Sequence, residues 1–230
     1  MPPHQSFLFS SQATRRQHKA GCLSFFLLPT AGILAVGLFI VIVAMGTTRL
    51  SPTQTYGPGA TAQPGHIAPF FSIPVKFWGA SIEKWAAQWQ LEPNLVATVI
   101  QIESCGDPEA GSRAGATGLF QVMPFHFKAG ERPQDPATNA YRGLAYLKNS
   151  LDAAHGDVRM ALASYNGGMN LIGQDETLWP DETVQYTYWG SKIYQDALQG
   201  ADSSQTLNKW LLQNGWRLCL QASQRLGIGP

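Results

Sequence analysis

The sequence predicts an all-α fold for most of this 230-residue chain. Apolar side chains recur at spacings of three and four along several stretches, which is the pattern of amphipathic helices. Asp-Pro pairs and Gly-rich runs stand where those stretches begin and end. No alternating run of apolar and polar residues is long enough for a strand, and there is no internal repeat. One transmembrane helix is predicted ahead of the helical domain.

The predicted transmembrane helix is an uncharged apolar segment near the N-terminus. Residues 23–46 are 24 residues without a charge, whereas a membrane-spanning helix needs roughly 20. Residues 1–22 contain basic residues and no acidic ones, which predicts a cytoplasmic N-terminus and a single-pass protein of the cell membrane. The rest of the chain would then lie outside the cytoplasm. A long signal peptide, cleaved after Ala44-Met45-Gly46, is the alternative and would give a secreted protein.

The chain after this segment divides into three parts. Residues 47–75 are rich in Pro, Gly, Thr and Gln and lack apolar periodicity, which is typical of a linker. Residues 76–200 form the predicted main helical domain. Residues 201–230 form a C-terminal helical extension to which no role is assigned.

The charge and cysteine content of residues 51–230, the part predicted to be exported, limit its possible partners. Four of the 16 basic residues and none of the 15 acidic ones precede position 51, so the remainder has a net charge near −3. This balance argues against a nucleic-acid partner, which needs a basic surface. Cys105 and Cys219 would both lie where thiols tend to oxidise, so they either form a disulfide or stay buried as free thiols. No clustered Cys or His pattern indicates a metal site.

The first two predicted helices lead to a single acidic residue. The first has one apolar stripe, formed by Trp78, Ile82, Trp85 and Trp89. The second begins at Glu92-Pro93, because proline is tolerated in a first turn, and it ends before Gly106. Glu103 therefore lies in the last turn, where the helix dipole disfavours a charged carboxylate.

The later helices are bounded by capping residues. Asp135-Pro136 begins a helix that ends near Ala154, and Asp157 caps a short helix that ends at Asn166-Gly167-Gly168. Residues 182–199 form the next predicted helix. Apolar residues between positions 207 and 226 predict a helical piece in the extension, weakened at Gly215.

Glu103 stands without a convincing partner carboxylate. Enzymes that hydrolyse glycosidic bonds usually place two carboxyl groups on either side of the bond. Asp107 would share a helix face with Glu103, but Gly106 and Pro108 break the helix, so Asp107 is expected to close a turn. A second carboxylate from a distant segment stays open.

Four ordered blocks of the sequence resemble the soluble lytic transglycosylase family, whose catalytic domain has a goose-type lysozyme-like fold. Their letters are ES at 103–104, GATGLFQVMP at 115–124, ASYNGG at 163–168 and ETVQY at 182–186. The resemblance covers roughly residues 80–200. Phe120 and Ser164 depart from the family pattern, where methionine and alanine are more usual, and both are small changes.

The resemblance implies a peptidoglycan lytic transglycosylase. Such an enzyme cleaves the β-1,4 bond between N-acetylmuramic acid (MurNAc) and N-acetylglucosamine (GlcNAc) without water and leaves 1,6-anhydro-MurNAc ends. Glu103 would act first as acid and then as base, which requires a protonated carboxyl near neutral pH, and desolvation can provide it. The alternatives are a muramidase that hydrolyses the same bond and a catalytically silent glycan-binding scaffold of an envelope machine.

The resemblance also implies the residues that contact substrate. These substrate-binding residues are Ser112, Gln121, Met123, Tyr165, Asn166, Glu182 and Tyr186. Tyr165 is expected to hydrogen-bond Glu103, and Gly115 and Gly118 are expected to let backbone pass close to the sugar and to Glu103. A Cys105–Cys219 bond would pin the C-terminal helix behind the active site. The expected partners are peptidoglycan glycan strands and the membrane, with no cofactor and no defined protein partner.

Overall fold

The computed structural model describes residues 66–229, and their secondary structure is mainly helical. The main helices are α1 (Ile73–Phe77), α2 (Gly79–Trp89), α3 (Pro93–Glu103), α4 (Pro136–Ala153), α5 (Val158–Gly167), α6 (Asp181–Leu198), α7 (Gln205–Trp210) and α8 (Trp216–Leu226). Short 3-10 helices span Pro124–His126, Met169–Leu171 and Glu176–Leu178. In the described part of the chain, β pairing is limited to isolated bridges within residues 111–122. The predicted all-α class is confirmed.

The predicted transmembrane segment, residues 23–46, lies outside the described residues. Between residues 66 and 229, no helix combines the length and the apolar character that crossing a membrane requires. The folded region begins before position 76, the predicted start of the main domain. Phe71 and Val75 belong to the buried core, and α1 starts at Ile73.

Helix α3 lies at the centre of the core. Its residues 94–101 are all buried, and it packs against α2 and α6. Glu92 caps its first turn by accepting from the Leu95 N–H at 2.9 Å, and Pro93 occupies the first position, where it needs no hydrogen-bond partner. Glu103, the C-terminal residue of α3, therefore lies just after this buried stretch.

Helices α4 and α5 both begin at an aspartate cap. Asp135 caps α4 through the Thr138 N–H, and Asp157 caps α5 through the Met160 N–H, both as predicted. Helix α5 packs against α4 on one side and α6 on the other. It ends at Gly167, and the next residue, Gly168, has a positive φ of 100°.

The C-terminal extension folds onto the main domain. Residues Leu211–Gly215 form a π-helical turn between α7 and α8. A Cβ on Gly215 would come within 2.2 Å of the Trp210 ring, so glycine makes room for this buried tryptophan. A disulfide joins Cys219 on α8 to Cys105, 114 positions earlier in the chain. Helix α8 also packs against α1.

Candidate active site

Glu103 is the last residue of α3, and the chain reverses direction immediately after it. Cys105 and Gly106 have φ angles of 49° and 89°, in the left-handed region. The Ser104 hydroxyl donates to the Leu119 carbonyl at 2.8 Å and accepts from the Gly106 N–H at 3.1 Å. Glu103 is therefore followed by a fixed turn that is tied to the glycine-rich loop.

The Glu103 carboxyl is largely protonated at neutral pH. Burial raises its pKa from 4.5 to about 8, a contact with the Tyr186 hydroxyl opposes this rise, and the nearby Glu182 carboxylate adds to it. The side chain keeps some contact with solvent, but protein surrounds it so closely that burial is the dominant cause. A carboxyl with this pKa can give up a proton to a substrate near pH 7.

Two tyrosines flank Glu103, and one of them has a different partner from the one expected. The Tyr165 hydroxyl, on α5, donates to the Phe120 carbonyl at 2.8 Å and not to Glu103. Tyr186, on α6, contacts Glu103 instead. The Tyr186 contact lacks the geometry of a regular hydrogen bond, and the buried hydroxyl has no other partner among the described residues. Burial raises the pKa of each tyrosine hydroxyl well above the ordinary value for tyrosine, so both hydroxyls stay protonated.

The acidic groups around Glu103 differ in exposure. Glu182 is exposed in the first turn of α6, and its negative charge raises the pKa of Glu103. Asp107 is buried, and its Oδ1 accepts from the Glu109 N–H at 2.9 Å, which confirms that it closes a turn. Within residues 66–229, no group of three His, Cys, Asp or Glu side chains is arranged to hold a metal ion.

The glycine-rich loop after Glu103 is held by its own backbone and by Asn139. Thr117 forms isolated bridges with Gly111 and Val122. The buried Asn139 side chain, on α4, accepts from the Phe120 N–H at 2.9 Å. Its Nδ2 donates to the Thr117 carbonyl of the same loop at 2.7 Å and to the Pro133 carbonyl, just before α4, at 2.9 Å. The two hydrogen bonds to Phe120 and Thr117 fix the loop against α4.

The two glycines of this loop have left-handed backbone conformations. Gly115 and Gly118 have φ angles of 93° and 79°, which favour glycine. A Cβ on Gly118 would come within 2.4 Å of the Asn139 amide nitrogen, so Gly118 makes room for Asn139. The nearest atom to a Cβ on Gly115 would be in Pro124 at 3.6 Å, an ordinary contact.

A cleft of about 340 Å³ opens between this loop and helices α4 and α5. Four of the predicted substrate-binding residues line it: Gln121, Met123, Tyr165 and Asn166. Glu103 is not among the lining residues. Tyr165 lines the cleft and also interacts electrostatically with Glu103.

The predicted substrate-binding residues make further contacts within the protein. Gln121 Nε2 donates to the carbonyls of Ala110 and Gly118 at 3.1 and 3.0 Å, which braces the loop. Asn166 accepts from the Thr183 hydroxyl at 2.8 Å. Ser112 is exposed, and its hydroxyl accepts from the backbone of the same loop at 3.0 Å. Ser112 does not line the cleft of about 340 Å³.

Phe125 and His126, which were not among the predicted site residues, complete a run of aromatic rings along the cleft. Ring centroids lie 4.5 Å apart between Phe125 and His126, 4.9 Å between His126 and Tyr146, and 5.7 Å between Tyr146 and Tyr165. Phe125 is 74% exposed, so the run leads from the surface to Tyr165. Burial and the charge of Arg142 lower the pKa of His126, which favours the neutral form of its ring.

Comparisons with known proteins show what the helical domain is similar to. Residues 80–180 match the family model of the transglycosylase SLT domain. A transglycosylase of Enterobacteria phage PRD1 is 40% identical over 111 residues, which cover 47% of this chain and 40% of the phage protein. Over this part of its length, the chain is therefore similar to transglycosylases.

Two further similarities are partial. An endo-type membrane-bound lytic murein transglycosylase A of Klebsiella pneumoniae is 42% identical over 91 residues, which cover 33% of this chain and 45% of the relative. The solved structure of an inactive mutant of the lytic transglycosylase Slt from Pseudomonas aeruginosa has a TM-score of 0.45 and 25% identity, over 53% of this chain and 24% of that one. The chain thus spans less than half the length of the curated relatives named here.

Proposed function

We propose that this chain is a peptidoglycan lytic transglycosylase, which cleaves the β-1,4 bond between MurNAc and GlcNAc without consuming water. The observation that carries the proposal is the Glu103 carboxyl, whose pKa of about 8 keeps it protonated at neutral pH. Its position near an aromatic-lined cleft supports a saccharide substrate, because ring faces pack well against sugars. The word murein in the name of the Klebsiella relative supports the same substrate.

The proposed reaction uses Glu103 twice. Its O–H protonates the glycosidic oxygen while the bond from that oxygen to C1 of the muramyl sugar breaks, and the departing GlcNAc keeps the proton. The 2-acetamido group of the muramyl sugar supports the positive charge at C1. The Glu103 carboxylate then takes the proton of the C6 hydroxyl, whose oxygen bonds to C1 and closes the anhydro ring. Glu103 ends protonated, as it began.

Hydrolysis of the same bond is the competing function, and the position of Glu182 is the observation that favours it. A second carboxylate near Glu103 could activate a water molecule for attack on C1. Mass spectrometry of the muropeptides released by the full-length protein separates the two reactions, because anhydro products are one water lighter. We expect anhydro ends from wild type and from Glu182→Gln. Reducing ends that are lost in Glu182→Gln would establish hydrolysis instead.

Tyr186→Phe is expected to move the alkaline limb of the activity–pH profile to higher pH. The substitution removes the contact that favours the charged form of Glu103, so the pKa of that carboxyl rises further. Tyr165→Phe is the matched control, because its hydroxyl bonds Phe120. It should cost about 1 kcal/mol of stability and leave the limb in place. Initial rates across the pH range check both variants. If only Tyr165→Phe moved the alkaline limb, Tyr165 and not Tyr186 would be the tyrosine that influences the pKa of Glu103.

His126→Ala is expected to weaken substrate binding more than turnover. The imidazole ring lies between Phe125 and Tyr146, where it can pack against a sugar. Loss of one such contact, about 0.5–1.5 kcal/mol, should raise KM roughly two- to tenfold with kcat nearly unchanged. His126→Phe keeps a ring at this position and serves as the control. Kinetics on soluble glycan fragments test the prediction, and an unchanged KM for His126→Ala would refute it.

We further propose that the helical domain works outside the cytoplasm, anchored to the membrane by residues 23–46. The Cys105–Cys219 disulfide supports an oxidising compartment. The apolar segment itself and the words "membrane-bound" in the name of the Klebsiella relative support the anchor. Alkaline carbonate extraction of membranes from cells that produce the full-length chain tests it. A shortened chain in the soluble exported fraction would favour the cleaved signal peptide.

A further inference from the structure

The two segments that flank the matched residues 80–180 meet at one place, the turn that directly follows Glu103. This turn consists of residues 104–109. Helix α1 and its neighbouring residues contact it from the N-terminal side, and α8 contacts it from the C-terminal side. Helices α1 and α8 also pack against each other. Parts of the chain outside the SLT match therefore hold the segment next to the proposed catalytic acid.

The N-terminal side contributes a hydrogen bond and a close backbone contact. Trp78 Nε1 donates to the Gly106 carbonyl at 2.8 Å. Gly106 lies so close to the chain before α2 that a Cβ on it would come within 2.7 Å of the Pro74 carbonyl oxygen. The Ser72 hydroxyl contacts Cys105 Sγ at 3.0 Å. These contacts fix the first half of the turn.

The C-terminal side contributes polar contacts besides the disulfide to Cys105. Gln221 Nε2 donates to Asp107 Oδ2 at 2.7 Å, and Arg225 Nε lies 3.3 Å from the same oxygen. Arg225 also forms an ion pair with Glu109. The Asp107 side chain has no exposed surface, and Gln221, Arg225 and the Glu109 N–H supply its polar partners. The second half of the turn is thus held by α8.

We propose that α1 and α8 clamp residues 104–109 and thereby keep water away from the Glu103 carboxyl. The inference rests on the proposed function, because it concerns the acid of that reaction. Asp107, Gln221 and Arg225 are positioning residues that act through the turn. The groups that interact with Glu103 electrostatically are Tyr165 on α5 and Tyr186 and Glu182 on α6, and no clamp residue is among them. An effect of the clamp on Glu103 must therefore pass through the shape of the turn.

The activity–pH profile of clamp variants tests the proposal. Arg225→Gln removes the ion pairs to Asp107 and Glu109, and a loosened turn would hydrate Glu103 and lower its pKa. The alkaline limb should move by about one pH unit toward acid, which means roughly fivefold lower activity at pH 8 and little loss at pH 6. Arg225→Lys keeps the charge and should restore most of the limb. Lys148→Gln breaks an ion pair on α4 and is the control.

A second variant helps to distinguish a shift of the alkaline limb from a simple loss of folded protein. Cys219→Ala removes the disulfide, and it should move the limb in the same direction as Arg225→Gln. Activity that falls equally at all pH values, with the limb in place, would mean a purely structural role and overturn the proposal. Unchanged profiles in both variants would overturn it as well. Failure of the proposed function looks different, because wild type itself would then release no anhydro products.

Discussion

Glu103→Gln is expected to reduce the rate of peptidoglycan cleavage by at least about 10²–10⁴-fold, the usual contribution of general acid–base catalysis. The amide keeps the shape of the side chain but has no proton to transfer to the glycosidic oxygen. Turbidity of a cell-wall suspension and the yield of released muropeptides measure the loss. Equal rates for the variant and wild type would leave a glycan-binding scaffold as the remaining interpretation.

The same substitution should stabilise the folded protein at neutral and alkaline pH. The folded state raises the pKa of Glu103 from 4.5 to about 8, so ionisation of this buried group costs stability as pH rises through that window. A glutamine cannot ionise and escapes this cost. The Tm difference between Glu103→Gln and wild type should therefore be small below pH 4.5 and should grow up to about pH 8. A constant difference across this range would mean that the carboxyl is not desolvated.

Asn139→Ala is expected to lower the free energy of unfolding by about 3 kcal/mol or more and to reduce activity. The variant leaves the Phe120 N–H and the Thr117 carbonyl without their partner, at roughly 1–3 kcal/mol for each buried group. The loop that carries Gln121 and Met123 then loses its attachment to α4. Urea unfolding measures the stability, and rates on peptidoglycan measure the activity.

Asn149→Ala is the matched control, because this asparagine lies exposed on the same helix. It should change the unfolding free energy by less than about 0.5 kcal/mol. A cost for Asn139→Ala no larger than that of the control would show that the loop does not depend on Asn139.

Local sequence signals were sufficient to predict the helices and the position of Glu103 at the end of one of them. Pro93 and the Asp135-Pro136 pair begin helices in the structure as they were predicted to, because capping depends on neighbours within one turn. The short helix capped by Asp157 ends at Gly167, as the Asn-Gly-Gly run indicated. Glu103 proved to be the last residue of its helix for the same local reasons.

Contacts between distant segments could not be predicted in the same way. The hydroxyl of Tyr165 bonds Phe120, 45 positions away, and Gly118 fits against Asn139. Both depend on how α4 and α5 pack against the loop, which no short pattern encodes. The approach of Glu182 to Glu103 and the contact of α8 with Asp107 likewise arise from packing across the whole domain. The resemblance identified residue types at the site, but it did not identify their partners.

The most direct test of the central claim is the titration of the Glu103 carboxyl in the folded protein. NMR of protein with ¹³C-labelled glutamate carboxyls follows each group with pH, and the signal missing from Glu103→Gln identifies the one in question. We expect a midpoint near 8, far above the ordinary value of 4.5. A midpoint close to 4.5 would mean that the carboxyl is ionised at neutral pH and has no proton to give, which contradicts its role as the acid.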